Sequence, residues 1–189
     1  MYLFFDTETS DLPRRWDAPV TDVDNWPRLV QICWIVCTPQ GEASQPQTHL
    51  IKPEGFRIAR SATDVHGITT DYAEQHGEPL RPVLDEFVQA IAGAREIVAH
   101  NISFDACVVG AELIRAGIPH ALDKRKHRCT MKESVHFCKL PGRYGFKWPS
   151  LTELHQILFR EPFPGAHNAT ADCLACMRCF FELKKQKAI

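Results

Sequence analysis

Apolar and polar positions along the chain follow two periods. Residues 2–5, Tyr-Leu-Phe-Phe, are apolar on both sides of any pleat, as in a central strand covered on both faces. Residues 29–37 repeat that character, and after the turn signal Pro39-Gln40-Gly41-Glu42 a third strand is predicted near 48–51. These three are expected to form an antiparallel meander. From Ser61 onward the period lengthens: Leu84, Phe87, Val88 and Ile91 fall at i, i+3, i+4 and i+7, one face of an amphipathic helix. A short strand at 96–99 leads into a second helix with Phe104, Val108, Ala111 and Ile114 on one stripe, stopped at Gly117 by a left-handed residue. Another strand is expected near 128–131. Ser150 and Glu153 then form a capping box that opens a helix packing Leu151, Leu154 and Leu158, and a last helix runs from about 169 toward 185.

No repeat or low-complexity segment interrupts this order, so residues 1–189 read as one α/β unit of roughly five strands. The 44% apolar content is enough to bury a core without disulfides. Met1 runs straight into the first strand with no basic leader, and no apolar run approaches the roughly 20 residues of a membrane span. A soluble, cytoplasmic protein with its eight cysteines reduced is therefore expected. A net charge of −1 does not by itself suggest a nucleic-acid partner. The objection weakens if the acids gather at one site and the bases elsewhere. The run Lys124-Arg125-Lys126-His127-Arg128 and the trio Lys184, Lys185 and Lys187 hint at that, although a solvated loop and a solvated helix end explain them too.

Three segments carry candidate chemistry. Asp6 and Glu8 are two apart at the end of the first strand, so their side chains project from one face. Two carboxylates about 4 Å apart repel by roughly 4 kcal/mol at an effective dielectric near 20, and such a pair needs a cation or a shared proton. Asp105 falls in the first turn of the helix after the 96–99 strand, at the strand edge where open α/β sheets build sites; alone, it would simply complement the helix dipole. His167 and Asp172 stand at the entry to the last helix, close enough to face one cleft. Each segment alone has a structural explanation. Together they supply four acids and one histidine at element borders.

At this point the sequence resembles the DEDDh 3′–5′ exonucleases of the DnaQ-like group, which includes the proofreading subunit of bacterial DNA polymerase III, RNase T and oligoribonuclease. Asp6-Thr7-Glu8-Thr9 matches the Asp-x-Glu-Thr motif, Ala99-His100-Asn101 to Phe104-Asp105 matches His-Asn-x-x-Phe-Asp, and His167 with Asp172 matches His-x(4)-Asp. His66-Gly67-Ile68 and Pro149-Ser150-Leu151 to Leu154 are similar landmarks, so the likeness spans most of the chain.

The resemblance implies an RNase H-like α/β fold with a mixed five-stranded sheet flanked by helices. It implies that Asp6, Glu8, Asp105 and Asp172 hold two divalent ions, Mg²⁺ or Mn²⁺, and that His167 is the general base. Four carboxylates and two divalent cations balance in charge, so only the loaded site would accept a phosphodiester. Histidine is suited to the base role because its ring changes charge near neutrality. Thr7, Thr9, Leu12, His66, Asn101 and Phe104 are implied as substrate-binding residues, although Asn101 and His100 would equally serve to tie down a turn and Phe104 to fill the core. DNA is the first expected partner, at single-stranded or frayed 3′ ends. RNA stands close behind, association with a polymerase is a further implication, and a non-catalytic nucleic-acid-binding module is the rival of another class.

Two departures stand out. Ser10-Asp11 replaces the usual Thr-Gly, and the turn is expected to survive through aspartate's tolerance of a left-handed backbone. The long segment 13–27, with Trp16 and Trp26, is either a substrate clamp or a packed loop. Cys173, Cys176 and Cys179 mimic an iron-sulfur run but lack its fourth cysteine and proline, so they read as buried thiols on a helix. Gln156 to Phe159 faintly resembles a sliding-clamp peptide, but Leu158 belongs to a core stripe.

Overall fold

In the computed structural model, which describes residues 1–189, the strand Tyr2–Thr9 (β1) lies at the centre of a five-stranded sheet. On one side it pairs antiparallel with β2 (Leu29–Cys37), which pairs antiparallel with β3 (Gln47–Leu50). On the other it pairs parallel with β4 (Glu96–Ala99), itself parallel to β5 (Lys126–Cys129). Helices α1 (Arg60–His66), α2 (Thr70–His76) and α3 (Leu80–Gly93) connect β3 to β4, and α4 (Ile102–Arg115) connects β4 to β5. After β5 come the short helices α5 (Thr130–Glu133) and α6 (Val135–Cys138), a small hairpin of β6 (Pro141–Gly142) and β7 (Gly145–Phe146), then α7 (Leu151–Phe159) and α8 (Ala169–Lys185). The expected meander, the mixed five-stranded sheet and the capping box are all present.

The doubly apolar start of β1 follows from its position. Leu3 and Phe5 face α3 and α4 in the largest core cluster, with Leu84, Phe87, Ile91, Val108 and Val109. Phe4 faces the other way, with Cys33, Ile35 and Val98, against Ala169, Cys173, Cys176 and Phe180 of α8. Each fully buried side chain of this size stabilises the fold by about 1.5–3 kcal/mol, and truncating Phe5 to alanine would cost about 3–5 kcal/mol.

Several expectations are corrected. β1 carries the acidic pair as expected and runs on to Thr9, its backbone still paired with β2. β5 begins two residues earlier than expected, and Thr130 and Met131 already belong to α5. On α4 Val108 and Ala111 are buried as expected with Phe104 packed against the same core, but the buried face continues through Leu113 and leaves Ile114 40% exposed. The cause is Glu112, fully buried on that face, whose Oε1 accepts from Arg28 Nε at 2.7 Å and from the Leu29 backbone N–H at 3.0 Å. Arg115 Nη1 lies 3.1 Å from the same oxygen, and its Nη2 donates to Trp26 O at 2.7 Å. A buried charge held by several partners is strongly destabilising to break, so this cluster fixes where the long first connection enters β2.

The basic run 124–128 is not a free cationic patch. Arg128 forks onto Glu133 and reaches Glu96 at 3.2 Å, Lys126 sits 3.4 Å from Glu96, and Arg125 donates to Ala92 O at 2.8 Å. Lys184 likewise donates to the Tyr2 hydroxyl at 2.7 Å. All eight cysteines are free thiols, and Cys173, Cys176 and Cys179 are buried on α8. No helix is long and apolar enough to cross a membrane.

Candidate active site

Alternation along β1 decides which acids meet. Asp6 and Glu8 share the face that carries Phe4 and point toward α8, opposite Cys33 and Gln31 of β2 in the strand register. The N-terminus of α8 is pinned over the same face: the Ala169 N–H donates to Gln31 Oε1 at 3.1 Å, and the Thr170 and Thr48 hydroxyls lie 2.7 Å apart. Asn168 caps the helix, its Oδ1 accepting from Thr170 N at 3.1 Å and Ala171 N at 3.4 Å. Asp172 thereby reaches β1, and Asp6, Glu8 and Asp172 each offer an oxygen within 4.8 Å of the others.

Asp105 arrives from the other side of the sheet. β4 ends beside β1, and Asn101 turns the chain through a left-handed conformation (φ 69°, ψ 44°) into α4, a conformation asparagine tolerates well. The Asp105 side chain then meets Thr7, the residue between Asp6 and Glu8. Its Oδ1 accepts from the Thr7 N–H at 3.1 Å and from the Thr7 hydroxyl at 2.7 Å. The acid itself is 3% exposed.

The electrostatics of this cluster are unfavourable without a counter-charge. Burial, then Asp105, Asp172 and Glu8, push the Asp6 carboxyl well above its usual range. Burial and then Asp172 and Asp105 push Glu8 up to about 8. Asp105 is raised to about 7 by burial, opposed by its bonds from Thr7. Asp172 is raised by burial against the backbone N–H of His167. An all-oxygen donor set whose members repel one another fits a hard divalent cation in its chemistry.

His167 has a left-handed backbone (φ 67°), and its N–H donates to Asp172 Oδ2 at 2.9 Å. The ring lies near enough to His66 to act on its charge. His66 Nδ1 accepts from the Ile68 N–H at 3.0 Å while Nε2 donates to Thr9 O at 3.2 Å, a pairing that requires the neutral ring with its proton on Nε2. Burial, the largest cause, lowers its pKa accordingly. His100, by contrast, ties down the turn. Its Nε2 donates to Pro149 O at 3.1 Å, Nδ1 lies 2.9 Å from the Thr130 hydroxyl, and burial lowers it to about 4.

A groove beside the acids is lined by Thr7, Glu8, Thr9, Leu12, His66 and Phe104, which unites five of the six residues implied for substrate. Asn101 is not among its lining residues. The groove adds Asp11, Ser61, Ala62 and Val65, which the sequence reading missed. Ser61, Ala62 and Val65 share one side of α1 with His66, so recognising that short helix would have found them. The turn after β1 also differs from expectation. Neither Ser10 nor Asp11 is left-handed; instead the Ser10 hydroxyl accepts from Arg28 N at 3.0 Å, Asp11 Oδ1 accepts from Leu12 N at 2.8 Å, and Thr9 Oγ1 donates to Asp11 O at 2.7 Å. The 13–27 segment divides in two. Trp26 is a packed anchor, 4% exposed, whereas Trp16 is 62% exposed with its ring 5.6 Å from Phe104 at the groove.

A mixed sheet with acids from its central strand and from two flanking helices defines an RNase H-like nuclease. The sequence profile of the RNase T group, described as exonuclease, matches residues 3–180, and the chain belongs to this exonuclease family, in its DnaQ-like DEDDh branch. The chain is 27% identical over 158 residues to the 3′-5′ exonuclease DinG of Bacillus subtilis (strain 168), covering 82% of this chain and 16% of that protein. Among solved structures, E. coli Exonuclease I in complex with a dT13 oligonucleotide, and its zinc-ion-bound complex with ssDNA, each align with a TM-score of 0.79 at 18% identity, covering 98% of this chain and 41% of theirs. Exonuclease X in complex with 5′ overhanging duplex DNA aligns with a TM-score of 0.62 at 22% identity, over 99% of this chain and 93% of that one. The chain thus spans about a sixth of the length of DinG and about two fifths of that of Exonuclease I.

Proposed function

We propose that the chain is a single exonuclease domain that hydrolyses phosphodiester bonds from a free 3′ end, with DNA as its preferred substrate, releasing nucleoside 5′-monophosphates. The observation that carries this reading is the meeting of Asp6, Glu8 and Asp172 oxygens within 4.8 Å, with Asp105 held against the strand between them. Asp6, Glu8, Asp105 and Asp172 hold two divalent cations, Mg²⁺ or Mn²⁺. Bound there, such ions would supply Lewis-acid chemistry toward the phosphate and toward an attacking water. His167 accepts the proton of that water at a ring nitrogen. Its backbone N–H meanwhile orients Asp172, so one residue supplies the base and steadies a neighbouring ligand. Thr7, Thr9 and His66 position the terminal nucleotide in the groove, Leu12 and Phe104 contact its base, and Asn101 shapes the turn beneath it. The DNA preference is supported by the DNA bound in the Exonuclease I and Exonuclease X structures.

The test is a time course on paired all-DNA and all-RNA strands, labelled at the 5′ end, with Mg²⁺ or Mn²⁺. A one-nucleotide ladder shrinking from the 3′ end, faster on DNA and abolished in Asp6→Ala, is the expected result. Faster digestion of RNA overturns the DNA preference, and binding without release of mononucleotide overturns the catalytic reading.

A further inference from the structure

The longest departure from the chain's near-neutral charge lies outside the acidic cluster. From Ser134 to Thr152 there is no aspartate or glutamate, while Lys139, Arg143 and Lys147 fall within that stretch. At its centre is the β6–β7 hairpin, where Gly145 takes a positive φ of 126° and Lys147 N donates to Leu140 O at 3.0 Å. The turn raises Tyr144 to 89% exposure, with Trp148 at 61% and Phe146 at 49% beside it. Large aromatics in the open forgo the gain of burial, and a cluster of them marks a contact surface.

Each ring has a basic neighbour. The Arg143 guanidinium lies 5.1 Å from the Tyr144 ring, Lys132 Nζ 5.7 Å from Trp148, and the His136 ring 6.2 Å from Phe146. Of the lysines and arginines named, only Lys147 has a carboxylate partner, Glu153. Rings interleaved with unpaired cations suit a ligand with flat faces and a repeating negative charge. An apolar protein surface would not need the cations.

The hairpin is joined to the catalytic end of the sheet. Pro149, next to Trp148, gives its carbonyl to His100 Nε2 at 3.1 Å, and Thr130, on the same short helix as Lys132, bonds the other nitrogen of that ring. His100 directly precedes the Asn101 turn that places Asp105. The geometry points to the β6–β7 hairpin as a stacking platform for the single-stranded part of the substrate that lies upstream of the 3′ end in the acidic site. This assignment rests on the exonuclease reading above, yet the platform itself needs no metal.

The test separates the two. Binding of labelled oligothymidylates of about 4 and about 16 nucleotides is measured by fluorescence anisotropy in EDTA, for the wild type, Tyr144→Ser/Trp148→Ser and Arg143→Ala. The wild type is expected to prefer the longer strand by roughly tenfold or more, the change in affinity that a single additional stacked base brings. The aromatic double variant should lose most of that preference, and Arg143→Ala should reduce the salt dependence of binding by about one ion. Unchanged melting temperatures identify folded variants, and Arg143→Ala tests the surface without removing a ring. A length preference that survives the double variant, or an equal loss for both lengths, overturns the platform. Wild-type protein that digests 3′ ends with Mg²⁺ but shows no length preference also overturns it and leaves the catalytic reading standing. Strand binding through the hairpin with no mononucleotide release does the reverse.

Discussion

Thr7 donates twice to one oxygen of Asp105: its backbone N–H at 3.1 Å and its hydroxyl at 2.7 Å both end on Oδ1. The two bonds cross from the central strand to α4 and draw an acid from the far face of the sheet against β1. A bond to a charged acceptor contributes about 1.5–3 kcal/mol. Thr7→Val keeps the shape and the backbone donor but removes the hydroxyl, and is expected to lower kcat/KM roughly tenfold to a hundredfold while raising the Mg²⁺ needed for half-maximal rate. Thr7→Ser should restore most of the loss. A metal titration of Thr7→Val that matches the wild type would falsify the positioning role.

Stability in the absence of metal should fall as the medium becomes more alkaline. Glu8 titrates at about 8 and Asp105 at about 7 in the fold, above the roughly 4 of an unfolded carboxylate. The folded state therefore holds extra protons between those values. Its advantage is complete below about pH 4 and disappears as pH climbs toward 8. Glu8→Gln isolates the effect. In EDTA it should melt with the wild type near pH 4 and above it at pH 8, while its hydrolysis with Mg²⁺ falls by roughly a hundredfold or more. Equal melting temperatures for the two proteins across that range would contradict the raised pKa of Glu8.

His167 presents two separable functions. Its main-chain N–H holds Asp172, whereas its exposed ring has no hydrogen-bond partner of its own. His167→Ala is expected to slow hydrolysis by roughly 10²–10⁴-fold while the rise in melting temperature on adding Mn²⁺ persists. Loss of the Mn²⁺ response together with activity would mean that the ring supports the ligands.

Leu12 and Trp16 stand in solvent at the groove mouth, 66% and 62% exposed. Truncating either to alanine should leave the melting temperature within about the spread of ordinary surface substitutions, near 0.5 kcal/mol. Both should raise KM on single strands, roughly threefold to tenfold, through lost base contact. A large drop in melting temperature with unchanged KM would make them fold residues instead.

Much of this was legible in the sequence because period and position coincide there. β2, β4 and α8 lie where the apolar pattern puts them, and alternation alone places Asp6 and Glu8 on one face. What stayed hidden has a common cause: it depends on partners distant in sequence or on segments too short for a period. Glu112 extends the buried face of α4 only because Arg28 and Leu29 arrive from 80-odd residues away. α1, which completes the groove around His66, is seven residues long and buries none of them fully. The cations of 124–128 look free in a one-dimensional reading, yet Glu96 and Glu133 neutralise two of them and a carbonyl takes a third.

The candidate ligands Asp6 and Glu8 sit on the strand that every other layer encloses, between two paired neighbours and two packed helical faces. The amides of its first half, paired on both edges, are expected to exchange only when the whole domain opens. Substitutions that weaken the core far from the cleft should therefore reduce how many molecules are folded without altering the turnover of each one that is. In a population of variants, yield and specific activity would then vary independently.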